Sequence, residues 1–144
     1  MDAVQRLEAI EAIRRTKARY FRAIDTKDRE ALASVFARHG VLDHRDAEMD
    51  DIVEGNEAIA EFIIGVLEGV TTVHHGHMME IELLSPTTAH AITAMEDKLW
   101  WPAGCPLVAM HGYGHYHEDY VLEDGHWRIA LNRLTRVRVD HVLA

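Results

Sequence analysis

The chain has 144 residues, enough for one compact core and short for two ordinary domains. A hydrophobic content of 48% with only three prolines excludes an extended disordered polymer. The formal charge of −9 argues against bare nucleic-acid binding, and no apolar run approaches the ~20 residues that span a bilayer.

The opening stretch MDAVQRLEAIEAIRR lacks the apolar core of a signal peptide. The single cysteine, Cys105, cannot close an internal disulfide, so a reducing cytoplasm is the expected location. Within the first segment Val4, Leu7, Ile10, Ile13, Phe21 and Ile24 recur at helical steps. Asp28 is placed to cap a second helix through REALASVFAR, with Gly40 as its stop. VLDHR is a short strand candidate, and the acidic DAEMDD that follows reads as a surface loop. Asn56 is positioned as the N-cap of a third helix, EAIAEFIIGVLEG, closed by Gly69.

From residue 71 the pattern turns to strands. TTVHHGHMMEIELL and TAHAITAMEDKLWW meet at Ser85-Pro86-Thr87, and WPAGCP supplies a second turn. LVAMHGYGHYHEDYVLE and HWRIALNRLTRVRVD then meet at a hairpin-type Asp124-Gly125. With no repeat, linker or low-complexity tract, residues 1–144 read as one α+β domain with an antiparallel sheet curled against the helices.

Eleven histidines are many for this length, and three of them, His74, His75 and His77, crowd into TVHHGHMMEI. Alternation puts His75 and His77 on one face, together with Met79, Ile81 and Leu83, and groups His111, His115 and His117 on another. Such pairs can chelate a divalent ion with Glu80 or Glu118, but no HExxH or CxxC pattern supports a metal centre, and none is expected. Proton transfer is the alternative. Histidine is the natural base near neutrality, provided a carboxylate fixes its tautomer. Asp25, at the end of the first helix, and Asp97, a charge amid the apolar residues of AMEDKLWW, are the candidates. Tyr20 flanks the same helical stripe as Asp25, and Arg136 is a candidate to bind a carbonyl or carboxylate if it is directed inward. A third reading is a binding or assembly module whose pocket Trp100, Trp101 and Met110 line.

Taken together, KARYFRAIDTKD, HHGHMMEIELLSPTTAHAITAMEDKLWW and VLEDGHWRIALNRLTRVRV resemble the SnoaL-like branch of the nuclear transport factor 2-like superfamily. The likeness spans about residues 10–140. Within that branch the pattern is most like bile acid 7α-dehydratase, and more distantly like scytalone dehydratase and hexachlorocyclohexane dehydrochlorinase. The resemblance implies a cone-shaped, curved antiparallel sheet wrapped around three N-terminal helices and enclosing an apolar pocket. Carried over position by position, the dehydratase pattern implies Tyr20, Asp25, His74, Asp97 and Arg136 as the catalytic set. The dehydrochlorinase pattern matches only Asp25, His74 and Arg136, with no tyrosine at position 20.

In function, the resemblance implies a lyase of dehydratase type that needs no cofactor. It would act by histidine acid/base chemistry on a hydrophobic, polycyclic, carbonyl-bearing substrate such as a steroid or polyketide. An isomerase or polyketide cyclase, or a non-catalytic small-molecule binder, are the alternatives. A homo-oligomer, dimer or trimer, is implied as well, with neither nucleic acid nor membrane as partner. Two departures stand out: the chain ends soon after the last strand, and MHGYGHYHEDY is unusually rich in histidine. Selecting His74 rather than its neighbours requires a bulge near Gly76 or burial of both strand faces.

Overall fold

The computed structural model describes residues 1–144. Helix α1 (Ala3–Asp25) begins on a reciprocal cap, in which the Asp2 carboxylate accepts from the Gln5 amide and the Gln5 side chain accepts from Asp2. It buries Ile13, Thr16, Lys17, Tyr20 and Ile24. Its first turns project, leaving Val4 and Leu7 exposed although they continue the apolar spacing. Asp28 caps α2 (Arg29–Val35) by accepting from the Ala31 amide at 3.0 Å.

The second helix is shorter than its spacing predicts. Phe36 is already extended, and Phe36–Asp43 forms strand β1, so FARHG is strand rather than helix. A 3-10 turn (Arg45–Ala47) leads into the acidic loop, and the short strand β2 (Ile52–Glu54) follows it. Gly55, at φ 97°, takes the N-cap position of α3 (Asn56–Val66), and Asn56 is its first helical residue. Four long strands follow: β3 (Thr71–Ser85), β4 (Thr88–Trp100), β5 (Leu107–Glu123) and β6 (His126–Leu143). Asp124 and Gly125, at φ 52° and 77°, make the tight β5–β6 turn their dipeptide predicts.

The six strands form one sheet in the order β2-β1-β6-β5-β4-β3. This corrects the expected architecture. The sheet is mixed, because β1 runs parallel to β6 while all other neighbours are antiparallel. It is open, with β2 and β3 at separate edges, and is not a strongly curled cone. The helices are not all N-terminal to the strands either, since α3 follows β1 and β2. The physical reason lies in β1: a strand entered directly from α2 pairs with the last strand of the chain, which no local pattern encodes. The core packs Ile13, Tyr20, Leu32, Phe36, Ile59 and Ala60 from the helices and β1 against Ala91, Met95, Tyr116, Ile129 and Leu134 of the sheet.

Candidate functional site

Alternation along β4 is regular: Ala89, Ala91, Thr93, Met95, Asp97 and Leu99 all point to the helix-covered face. On β3 the same face is reached by Thr72 and His74, paired with Leu99 and Asp97. Beyond Gly76 the register shifts, so that Gly76 opposes Met95 but Met79 opposes Thr93. This bulge returns Met79, Ile81 and Leu83 to the inner face. His77 is left outside, half exposed, with Nε2 3.0 Å from Glu96. Strict alternation, which groups His77 with Met79, fails at this point.

Asp25 closes α1 directly beneath His74. Its Oδ1 accepts from His74 Nδ1 at 2.7 Å and from the Thr72 hydroxyl at 2.9 Å, and its Oδ2 accepts from the His74 backbone amide at 2.8 Å. Partial burial raises the Asp25 pKa, but the His74 and Thr72 hydrogen bonds outweigh it and hold the carboxyl below its ordinary range. An ionised carboxylate only accepts, so His74 Nδ1 carries the hydrogen, and in the neutral ring Nε2 holds the lone pair. That nitrogen lies 3.9 Å from Asp97 Oδ2, too far for a hydrogen bond.

Asp97 is held by Arg136 through two parallel contacts, Nη1 to Oδ1 at 2.7 Å and Nη2 to Oδ2 at 3.1 Å. Arg136 lies on β6 and crosses β5 at Gly112 to reach β4. A Cβ on Gly112 would overlap Arg136 and approach Asp97 Oδ1 to 2.5 Å. Burial disfavours the Arg136 charge, yet the contact with Asp97 prevails and raises its pKa, so the guanidinium is a permanent cation. Opposite stand Tyr20 and Tyr116, fully buried, their hydroxyls 3.4 Å apart. Burial raises both phenol pKa values, so both remain hydrogen-bond donors near neutrality.

These groups border one cavity of about 140 Å3. Tyr20, His44, His74, Asp97, Tyr116 and Arg136 supply its polar atoms, while Ile24, Leu42, Ile63, Leu99, Met110 and Leu134 are among its apolar lining. Of the sequence candidates, Tyr20, His74, Asp97 and Arg136 line it, and Asp25 stands behind His74. Met110 lines the wall; Trp100 and Trp101 do not. A larger polar groove of about 360 Å3, beside Arg15, Arg19 and Arg128, contains none of the candidates. No group of three or more histidine, cysteine, aspartate or glutamate side chains is arranged to hold a metal. His111 instead joins His77 on Glu96, Nε2 to Oε1 at 3.1 Å, and Glu118 is buried against Lys17 at 2.9 Å.

Sequence reasoning missed His44 and Tyr116. Alternation carried a signal for both. His44 follows the buried Leu42 by two, just past the end of β1, and Tyr116 precedes Glu118 and Tyr120 by two and four along β5.

This fold and site define a class. Residues 5–133 match the model of the SnoaL-like domain, and the chain belongs to that family, within the nuclear transport factor 2-like superfamily. Among solved structures it is similar to a candidate scytalone dehydratase from Novosphingobium aromaticivorans. The two are 20% identical, with 99% of this chain and 93% of that one covered and a TM-score of 0.86. It is also similar to a type 3 hexachlorocyclohexane dehydrochlorinase, LinA, from Novosphingobium barchaimii, at 16% identity, 98% and 94% coverage and a TM-score of 0.86. An aspartate-to-asparagine variant of Rv3472 from Mycobacterium tuberculosis, a protein of unknown function, is 26% identical over 92% of this chain and 78% of that one, with a TM-score of 0.77. No match to bile acid 7α-dehydratase accompanies these, so the likeness stands at the level of the family. No helix is long and apolar enough to cross a membrane.

Proposed function

We propose that the protein is a lyase of dehydratase type, working without a cofactor on a hydrophobic substrate that carries a carbonyl and a leaving hydroxyl. One observation carries the reading: His74 has Nδ1 committed to Asp25 and Nε2 free, in an apolar cavity that also holds Asp97–Arg136 and two protonated tyrosines. The solved structures named for a dehydratase and a dehydrochlorinase, both elimination enzymes by name, share the fold.

In this reading His74 Nε2 removes a proton from the carbon beside the carbonyl. The electron pair moves toward the carbonyl oxygen, where Tyr20, Tyr116 or Arg136 donates a hydrogen bond to the developing charge. Asp25 stabilises the imidazolium, with Asp97 close by, as in other histidine–carboxylate pairs. The carbon–oxygen bond then breaks, the leaving hydroxyl takes the proton back from Nε2, and water departs from a new carbon–carbon double bond. The cavity matches one ring in size, about that of an engineered hole that admits benzene. A polycyclic substrate would seat its reacting ring there and leave the remainder outside.

The test is a screen of β-hydroxy ketones of steroid and polyketide type, following the absorbance of the conjugated enone. His74→Ala should lower kcat by about 10²- to 10⁴-fold in a folded protein. Full turnover in that variant would remove His74 as the base, and binding without conversion would favour a carrier.

A further inference from the structure

The far wall of the cavity contains a second imidazole, and a chain of directional hydrogen bonds determines which of its nitrogens bears the proton. The chain starts at Glu118, which is fully buried on β5. Its Oε1 faces Lys17 Nζ at 2.9 Å and accepts from the Tyr120 hydroxyl at 3.1 Å; its Oε2 accepts from Asn132 Nδ2 at 2.7 Å. Paired with the Lys17 ammonium, the carboxylate can only accept, so the amide of Asn132 must turn its NH₂ toward Glu118. Its Oδ1 then faces His44 Nε2, in a short contact. A carbonyl oxygen accepts only, so Nε2 must donate and Nδ1 must hold the lone pair.

Nothing in the protein hydrogen-bonds to His44 Nδ1, and it is not among the fully enclosed polar atoms that lack partners. The ring lines the cavity and tilts over Tyr116, 6.3 Å between centroids. Burial, helped by the charges of Lys17 and Arg136, pushes the His44 pKa down to about 4 against the pull of Asn132, so the ring is neutral near pH 7.

We propose that His44 Nδ1 is a specificity-determining acceptor that receives a hydrogen bond from a hydroxyl of the ligand. It selects ring compounds with a hydroxyl on the edge turned toward β1, and discriminates against those with a methyl there. This rests on the cavity being the substrate site, and its test needs no turnover. The chemistry is asymmetric: a hydroxyl gains a partner at Nδ1, whereas a methyl leaves a desolvated acceptor without one.

Phenol and toluene are the probes, since they differ only in hydroxyl against methyl on a ring of suitable size. Nitrogen-15 NMR of the wild-type protein at pH 7 should show His44 protonated at Nε2 and bare at Nδ1, with the Nδ1 resonance moving on addition of phenol but not of toluene. The phenol-to-toluene affinity ratio should fall roughly tenfold in His44→Phe. A proton on Nδ1, no phenol binding, or a ratio unchanged by His44→Phe would each overturn the assignment. The tautomer measurement stands whether or not His44→Phe folds. A protein that binds phenol in this way but converts no hydroxy ketone would sink the lyase reading alone.

Discussion

At the scale of single residues, the cavity sets two imidazoles in opposite environments. His74 lies against an anion, Asp25, which accepts from its Nδ1. His44 lies against the neutral amide of Asn132, with Lys17 and Arg136 nearby, and is held neutral. This difference has a consequence for stability. The His44 pKa falls from an ordinary 6.5 in the unfolded chain to about 4 in the folded protein, so the unfolded state binds more protons between those values. Its contribution is therefore complete above pH 6.5 and is lost as pH falls toward 4. Between pH 7 and pH 5 the loss from this one group should be about 2 kcal/mol. Urea denaturation at both pH values would show it, and His44→Phe should flatten the slope by that amount even though its stability at pH 7 is lower. An equal slope in both proteins would mean that His44 is not buried neutral.

At the scale of elements, the bulge in β3 separates the features that local sequence encodes from those it does not. The types and order of Tyr20, Asp25, His74, Asp97 and Arg136 were legible, as were the four long strands and their turns. The facing of His74 was not, because alternation places it opposite Met79 unless a residue is added between them. Gly76 hinted at that addition, and the register shift from Gly76–Met95 to Met79–Thr93 is where it occurs. Gly76 also accommodates the edge of Phe21, which a Cβ would approach to 2.5 Å. Gly112 plays the matching role on β5, where the absence of a side chain opens the path from Arg136 to Asp97. Gly112→Ala should push that ion pair apart, lowering turnover by about tenfold or more and stability by about 1–3 kcal/mol. Parallel kinetic and denaturant measurements would check this; unchanged turnover would mean that the Asp97–Arg136 geometry is dispensable.

At the scale of the whole molecule, the open mixed sheet depends on contacts far apart in sequence, and those were the least legible. β1 was visible only as VLDHR, and its parallel pairing with β6 joins residues about ninety positions apart, as in Leu42 with Asn132. The attachment of α1 to the sheet is equally remote: Lys17 reaches Glu118 while its ammonium lies 3.8 Å and 3.5 Å from the ring centroids of Tyr20 and Tyr116. Burial draws the Lys17 pKa down to about 8, and only the Glu118 carboxylate opposes the shift. A charge pair this enclosed is costly to create and more costly to break, since removing either partner leaves the other buried and uncompensated. Lys17→Met or Glu118→Leu alone should therefore cost about 3–5 kcal/mol, whereas the double variant should recover much of that loss by replacing both charges with apolar volume. The residual penalty would come from Asn132 and Tyr120, whose donors lose Glu118 in the double variant as they do in Glu118→Leu. A double-mutant cycle in urea decides the matter. Strong coupling would identify the pair as the tie that sets α1, and with it Tyr20 and Asp25, against the sheet; simple additivity would show that apolar packing alone positions the helix.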